Sequence, residues 1–134
     1  MGITEGMTLD QNTYDKGREI RAAVLGEAYV NAATANADDF NKPFQDLVTE
    51  YCWGAVWGRE DLPLKTRSML NLAMISVLNR PHELRTHIRG ALTNGVTRDE
   101  IREVFMQVAI YAGVPAAVDS FRIAREVFGE QGRD

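Results

Sequence analysis

The sequence predicts an all-α chain, a single-domain bundle of about six helices. Three observations predict it. Apolar residues recur at three- and four-residue spacing through most of the chain. Every such run after the first is preceded by a helix-start signal, either a proline near a first turn or a Thr-x-x-Glu box. No stretch alternates apolar and polar residues for the length of a convincing strand, and there is no internal repeat or low-complexity segment.

Residues 1–9 are polar and contain glycine, and they read as a flexible N-terminal tail ahead of one domain over 10–134. A first helix is expected from about Asp10 to Leu25, with Ile20, Val24 and Leu25 as its clearer apolar positions. Residues 26–40, rich in Ala, Asn and Asp, read as a mixed connection. Asn41 suits an N-cap and Pro43 a first turn, and Phe44, Leu47, Val48, Tyr51 and Val56 carry the pattern to Trp57. Gly58 to Pro63 is a turn. The next helix runs from Pro63 or Leu64 to Leu78, and its run from Met69 to Ile75 is apolar nearly all round, as in a central buried helix. Arg80-Pro81 restarts the chain, because a proline's fixed φ and missing N–H suit the first helical position. That helix continues to about Thr93, with Gly95 just past its end. Thr97-Arg98-Asp99-Glu100 has capping-box spacing, and Ile101, Val104, Phe105, Val108 and Ala109 follow it up to Gly113. Pro115 opens the last helix, which ends near Gly129.

A chain of 134 residues with 45% hydrophobic and 25% charged content can bury a core without staples. Its net charge of −4 offers no basic field for a nucleic-acid backbone. Cys52 is the only cysteine, which excludes a disulfide framework and an intrachain Cys-x-x-Cys redox pair. The opening residues lack a basic, then apolar, leader pattern, and no apolar run reaches the roughly 18 residues of a membrane span. A soluble, cytoplasmic protein with no nucleic-acid or membrane partner is expected.

Chemistry concentrates in Arg80-Pro81-His82-Glu83-Leu84-Arg85-Thr86-His87, which holds both histidines of the chain. Glu83 and His87 lie four apart and share a helical face. Such a pair can hold, give and take a proton near neutral pH. Taken alone, His87 is more often a hydrogen-bonded histidine between helices, and Glu83 is as readily an exposed i,i+4 partner. His82 can be an exposed first-turn residue, and Arg80 and Arg67 can be ordinary surface cations. Arg85 and Arg89 read as solvent or subunit contacts, Cys52 as a small buried hydrophobe, and Trp53 and Trp57 as core or interface.

Leu62-Pro63-Leu64-Lys65-Thr66-Arg67-Ser68, Asn79 to Arg85, His87-Ile88-Arg89-Gly90-Ala91-Leu92, Gly95-Val96-Thr97 with Glu100-Ile101, and Tyr111 to Ala117 occur in order across about two thirds of the chain. In these motifs the segment from about Asn41 to Phe128 resembles the carboxymuconolactone decarboxylase family. The resemblance implies an alkyl hydroperoxidase D-like fold and a homo-oligomer, a hexamer. It also implies decarboxylation of 4-carboxymuconolactone to an enol-lactone, in protocatechuate breakdown by the β-ketoadipate route. That substrate is a small dianion on an unsaturated lactone ring. As CO2 leaves, its electrons run through the C=C bond to the lactone carbonyl, so the ring is its own electron sink and no metal or other cofactor is needed. The protein has to bind two carboxylates, stabilise the oxyanion and deliver a proton to carbon. The resemblance gives catalysis to His87 and Glu83, with His87 as proton donor and Glu83 setting its tautomer and raising its pKa. It gives substrate binding to Arg80, His82 and Arg67, with Arg80 ahead of Arg67.

In the peroxidase branch of the wider superfamily a Cys-x-x-Cys pair precedes the histidine, and Arg80 and Glu83 occupy those places here. Thiol peroxidase chemistry is therefore expected to be lost. The other readings are that thiol-dependent peroxidase or reductase activity, which the missing Cys-x-x-Cys pair argues against, a non-catalytic oligomeric scaffold, and a decarboxylase or isomerase acting on a related lactone or keto acid.

Overall fold

The computed structural model describes residues 10–132, which contain seven α-helices, one π-helical segment and no strand. The expected tail over 1–9 lies outside the described residues. The chain divides into two compact units between Leu62 and Pro63.

The first unit contains α1 (Gln11–Leu25), α2 (Glu27–Ala35), α3 (Lys42–Leu47) and a π-helical segment (Val48–Val56). Asp10 caps α1, accepting from the Asn12 amide at 3.1 Å and the Thr13 hydroxyl at 2.7 Å. Gly26, at φ +99°, separates α1 from α2. The helix α2 lies where a mixed connection was expected. Only Val30 of α2 is buried, so it carries no apolar stripe for the sequence to show. The expected helix from Asn41 to Trp57 is present, but its second half is underwound, with the Trp57 amide bonding the Cys52 carbonyl five residues back at 2.9 Å. Trp53 and Trp57 are buried and stack with centroids 4.6 Å apart, as their four-residue spacing suggests. Cys52 is exposed, not the buried hydrophobe expected, because the π-segment turns Trp53 and Gly54 inward instead.

The second unit contains α4 (Leu64–Leu78), α5 (Pro81–Thr93), α6 (Arg98–Ala112) and α7 (Val114–Glu130). These bounds match the sequence reading to within a residue or so, and the Thr97–Glu100 box is formed in both directions, at 3.0 and 2.9 Å. Leu72 of α4, Leu84 and Ile88 of α5, Ile101 and Phe105 of α6, and Ile123 and Val127 of α7 meet in one fully buried core. Arg85 pairs with Glu126 and Glu130, and Arg89 with Glu130 at 2.9 Å, so both arginines tie α5 to α7.

The helix α4 is not buried all round. Leu70, Met74, Val77 and Leu78 are all close to half exposed or more. Ile110 and Tyr111 at the end of α6, and Val114 and Val118 in α7, are also exposed.

Candidate active site

Two residues join α4 to α5. Asn79 takes the left-handed conformation at φ 57°, which asparagine tolerates better than most residues. Arg80, at φ −119° and ψ 80°, then lies outside the helical region ahead of Pro81, as the ring of a following proline favours. So short a link folds α5 back along α4. Asn71 accordingly meets His87, and Asn94 meets Ser68 at 2.9 Å.

Glu83 and His87 immediately precede the core residues Leu84 and Ile88, so they lie about 100° round α5 from the buried stripe. Glu83 is exposed and His87 half-buried. The His87 Nδ1 stands 3.4 Å from the Asn71 amide nitrogen. Burial pushes the His87 pKa below its ordinary value, and the Glu83 carboxylate pulls it up only in part. The expected upward pull of Glu83 is present, but burial outweighs it. Arg67, half-buried, is one turn before Asn71 on the same face of α4. Asn71 and His87 thus meet at the seam of two packed helices, with Arg67 and Glu83 one turn before them on α4 and α5.

Arg80 and His82 lie at the exposed start of α5. The Arg80 guanidinium turns back to the carbonyls of Leu78 and Asn79, each at 3.4 Å. No side chain caps α5, so its first-turn amides remain available to an anion. Asn71 is the residue that sequence reasoning missed. Its one visible signal was its four-residue spacing from Arg67.

A groove of about 550 Å³ between α4 and α6 and a cleft of about 420 Å³ between α6 and α7 are lined by neither His87 nor Glu83. Among the described residues no cluster of His, Cys, Asp and Glu could hold a metal ion, and no helix is long and apolar enough to cross a membrane. Although Cys52 is an exposed residue, its surroundings partly desolvate the thiol and push its pKa up, away from the thiolate that peroxidase chemistry uses.

Comparison with known proteins adds the family. The carboxymuconolactone decarboxylase family profile matches residues 42–126. A 4-carboxymuconolactone decarboxylase from Acinetobacter baylyi is 42% identical over 92% of this chain and 92% of its own. A nitrosuccinic acid decarboxylase from Metarhizium robertsii is 39% identical over 91% of this chain and 85% of its own. A 4-carboxymuconolactone decarboxylase from Pseudomonas putida is 38% identical over 34% of this chain and 94% of its own. With an ordered set of motifs, an all-helical structure and a profile match over more than half its length, this chain belongs to the carboxymuconolactone decarboxylase family.

Proposed function

We propose that this chain is a carboxy-lyase that converts 4-carboxymuconolactone to the enol-lactone without a cofactor. The observation that carries the reading is the 42% identity, over nearly the whole of both chains, to a decarboxylase named for that substrate. The α4–α5 seam supports it with chemistry of the right kind. The reaction moves an electron pair from a breaking C–C bond onto the lactone oxygen, then places a proton on carbon. His87 and Glu83 face the dienolate and serve those needs. Arg67, Arg80 and His82, with the uncapped start of α5, take the two carboxylates.

The family match spans both compact units, which supports treating 10–134 as one functional domain. A place in protocatechuate breakdown through β-ketoadipate follows from the substrate. The free thiol of Cys52 suits the reducing cytoplasm.

The enzyme works as a homo-oligomer, a hexamer on the resemblance. Leu70, Val77 and Tyr111 line one apolar groove, and Met106, Ile110 and Phe121 join Tyr111 in another, which makes a continuous exposed apolar surface. Surfaces of that kind mark protein contacts. Sedimentation velocity is expected to show an assembly that Ile110→Asp breaks down. A monomeric wild-type protein would end this part of the reading.

The nitrosuccinic acid decarboxylase relative supports a second reading, since a nitro group can also accept the electron pair. The test supplies purified protein, free of added metal and cofactor, with enzymatically generated 4-carboxymuconolactone or with nitrosuccinate, and follows CO2 release. Turnover of the lactone is expected. Turnover of nitrosuccinate alone would transfer the assignment to the second substrate, and turnover of neither by folded protein would remove both.

A further inference from the structure

His87 has two ring nitrogens, and the nitrogen that carries the proton decides what it can do in the reaction. The Asn71 amide nitrogen stands 3.4 Å from Nδ1. With its NH2 towards Nδ1, Asn71 donates and Nδ1 accepts, an arrangement that places the proton of a neutral ring on Nε2. We infer that Asn71 is a positioning residue that holds His87 in the Nε2–H form, so that the neutral ring meets the developing oxyanion as a hydrogen-bond donor. The inference rests on the decarboxylase reading above and specifies how its histidine works.

The surroundings agree. Burial between α4 and α5 disfavours the imidazolium. On α5 itself, Glu83 pulls the other way and does not overcome burial. On α4, Arg67 lies one turn before Asn71, and Lys65 is paired with Glu100 at 3.1 Å. From α7 come Glu126 and Glu130, whose charges are taken up by Arg85 and Arg89. A neutral imidazole with a fixed N–H is a known way to polarise a carbonyl oxygen. In the step concerned, the bond to the departing carboxylate breaks, its electron pair ends on the lactone oxygen, CO2 leaves, and no proton moves. Without Asn71, the Nδ1–H tautomer would be the competing form.

The test has an arm that needs no substrate. Nitrogen NMR of protein labelled in its two histidines, with His87 assigned by its loss in His87→Gln, reads the tautomer well above the ring's pKa. Wild type is expected to be Nε2–H. Asn71→Asp, whose carboxylate accepts from Nδ1–H, is expected to switch the ring, and Asn71→Leu to leave a mixture. In the second arm, kcat in Asn71→Asp is expected to fall roughly 10- to 100-fold with little change in KM, as loss of a ring-orienting partner does at other sites. The wild-type kcat/KM is expected to decline as pH drops through the His87 pKa, because protonation removes the neutral donor. An Nδ1–H wild type, or an Asn71→Leu variant with an unchanged tautomer, overturns the inference. So does a kcat/KM that instead declines as pH rises through that pKa, since an imidazolium would then be the active form. Absence of lactone turnover by wild type overturns the decarboxylase reading and the oxyanion role with it. The NMR arm still decides whether Asn71 sets the ring.

Discussion

His87→Gln is expected to lower kcat for 4-carboxymuconolactone by roughly 10²–10³-fold, the usual cost of one oxyanion donor or one acid–base group. The expectation comes from position as well as residue type. His87 is half-buried on α5 at its contact with α4, next to Asn71 and one turn from Glu83. A group there can act on a reacting atom in partly desolvated surroundings, where a hydrogen bond to developing charge counts for more than in water. Glutamine keeps most of the volume and a donor, so the fold should survive, and the loss should appear in kcat more than in KM. The pH dependence provides the sign. Burial holds the His87 pKa below its ordinary value, so the neutral ring persists to lower pH than in a free histidine and becomes charged as the pH falls. The acid limb of kcat/KM that follows His87 in wild type should vanish in the variant. Steady-state kinetics with circular dichroism on the same samples decides it. Turnover within a few-fold of wild type by folded His87→Gln would remove His87 from the mechanism.

Gly17→Ala is expected to destabilise the protein by roughly 3 kcal/mol, at the upper end of the cost of overpacking. In an ordinary helix interior the same change stabilises by about 0.5–1 kcal/mol, because glycine is the poorer helix former. Here the sign reverses. Where α1 crosses the π-helical segment, a Cβ on Gly17 would stand 1.9 Å from the Thr49 carbonyl oxygen and 2.7 Å from the Gly54 amide nitrogen. Gly54 faces the same crossing from the other side, with its own Cβ position 2.2 Å from the Thr13 carbonyl oxygen. These neighbours are backbone atoms and cannot rotate aside, so α1 would have to lift off. That shift would disturb the packing around the bond between the Asp10 amide and the buried Glu50 carboxylate, 2.7 Å long. Urea unfolding is expected to show a lower midpoint. A midpoint equal to or above that of wild type would mean that the two helices do not approach this closely.

Most of the helices were legible in the sequence because their signals are local. Pro81 at the start of α5, the Thr97–Glu100 box, and the recurrence of Ile101, Phe105 and Val108 each involve residues within a turn or two of one another. The helix α2 was not legible because a helix with one buried side chain has no stripe to read. The π-helical winding was not legible either, since the apolar residues of Val48–Val56 fit an α-helix as well. In α4 the run of apolar residues was plain, but which of them face a core is set by α5, α6 and α7. The family was readable from the order and spacing of its motifs, and the profile match agrees.

The site divides along the same line. The sequence by itself determined that Glu83 and His87 share a face of one helix, because i,i+4 geometry is a property of the chain alone. Only the tertiary structure decided what His87 meets across the seam. The two-residue link through Asn79 folds α5 back on α4, and that brings Asn71, sixteen positions away, against the ring. It also decided that His87 is half-buried while Arg80 stays in solvent. Burial and cross-helix contacts depend on residues distant in the chain, and these set the surroundings of the His87 ring.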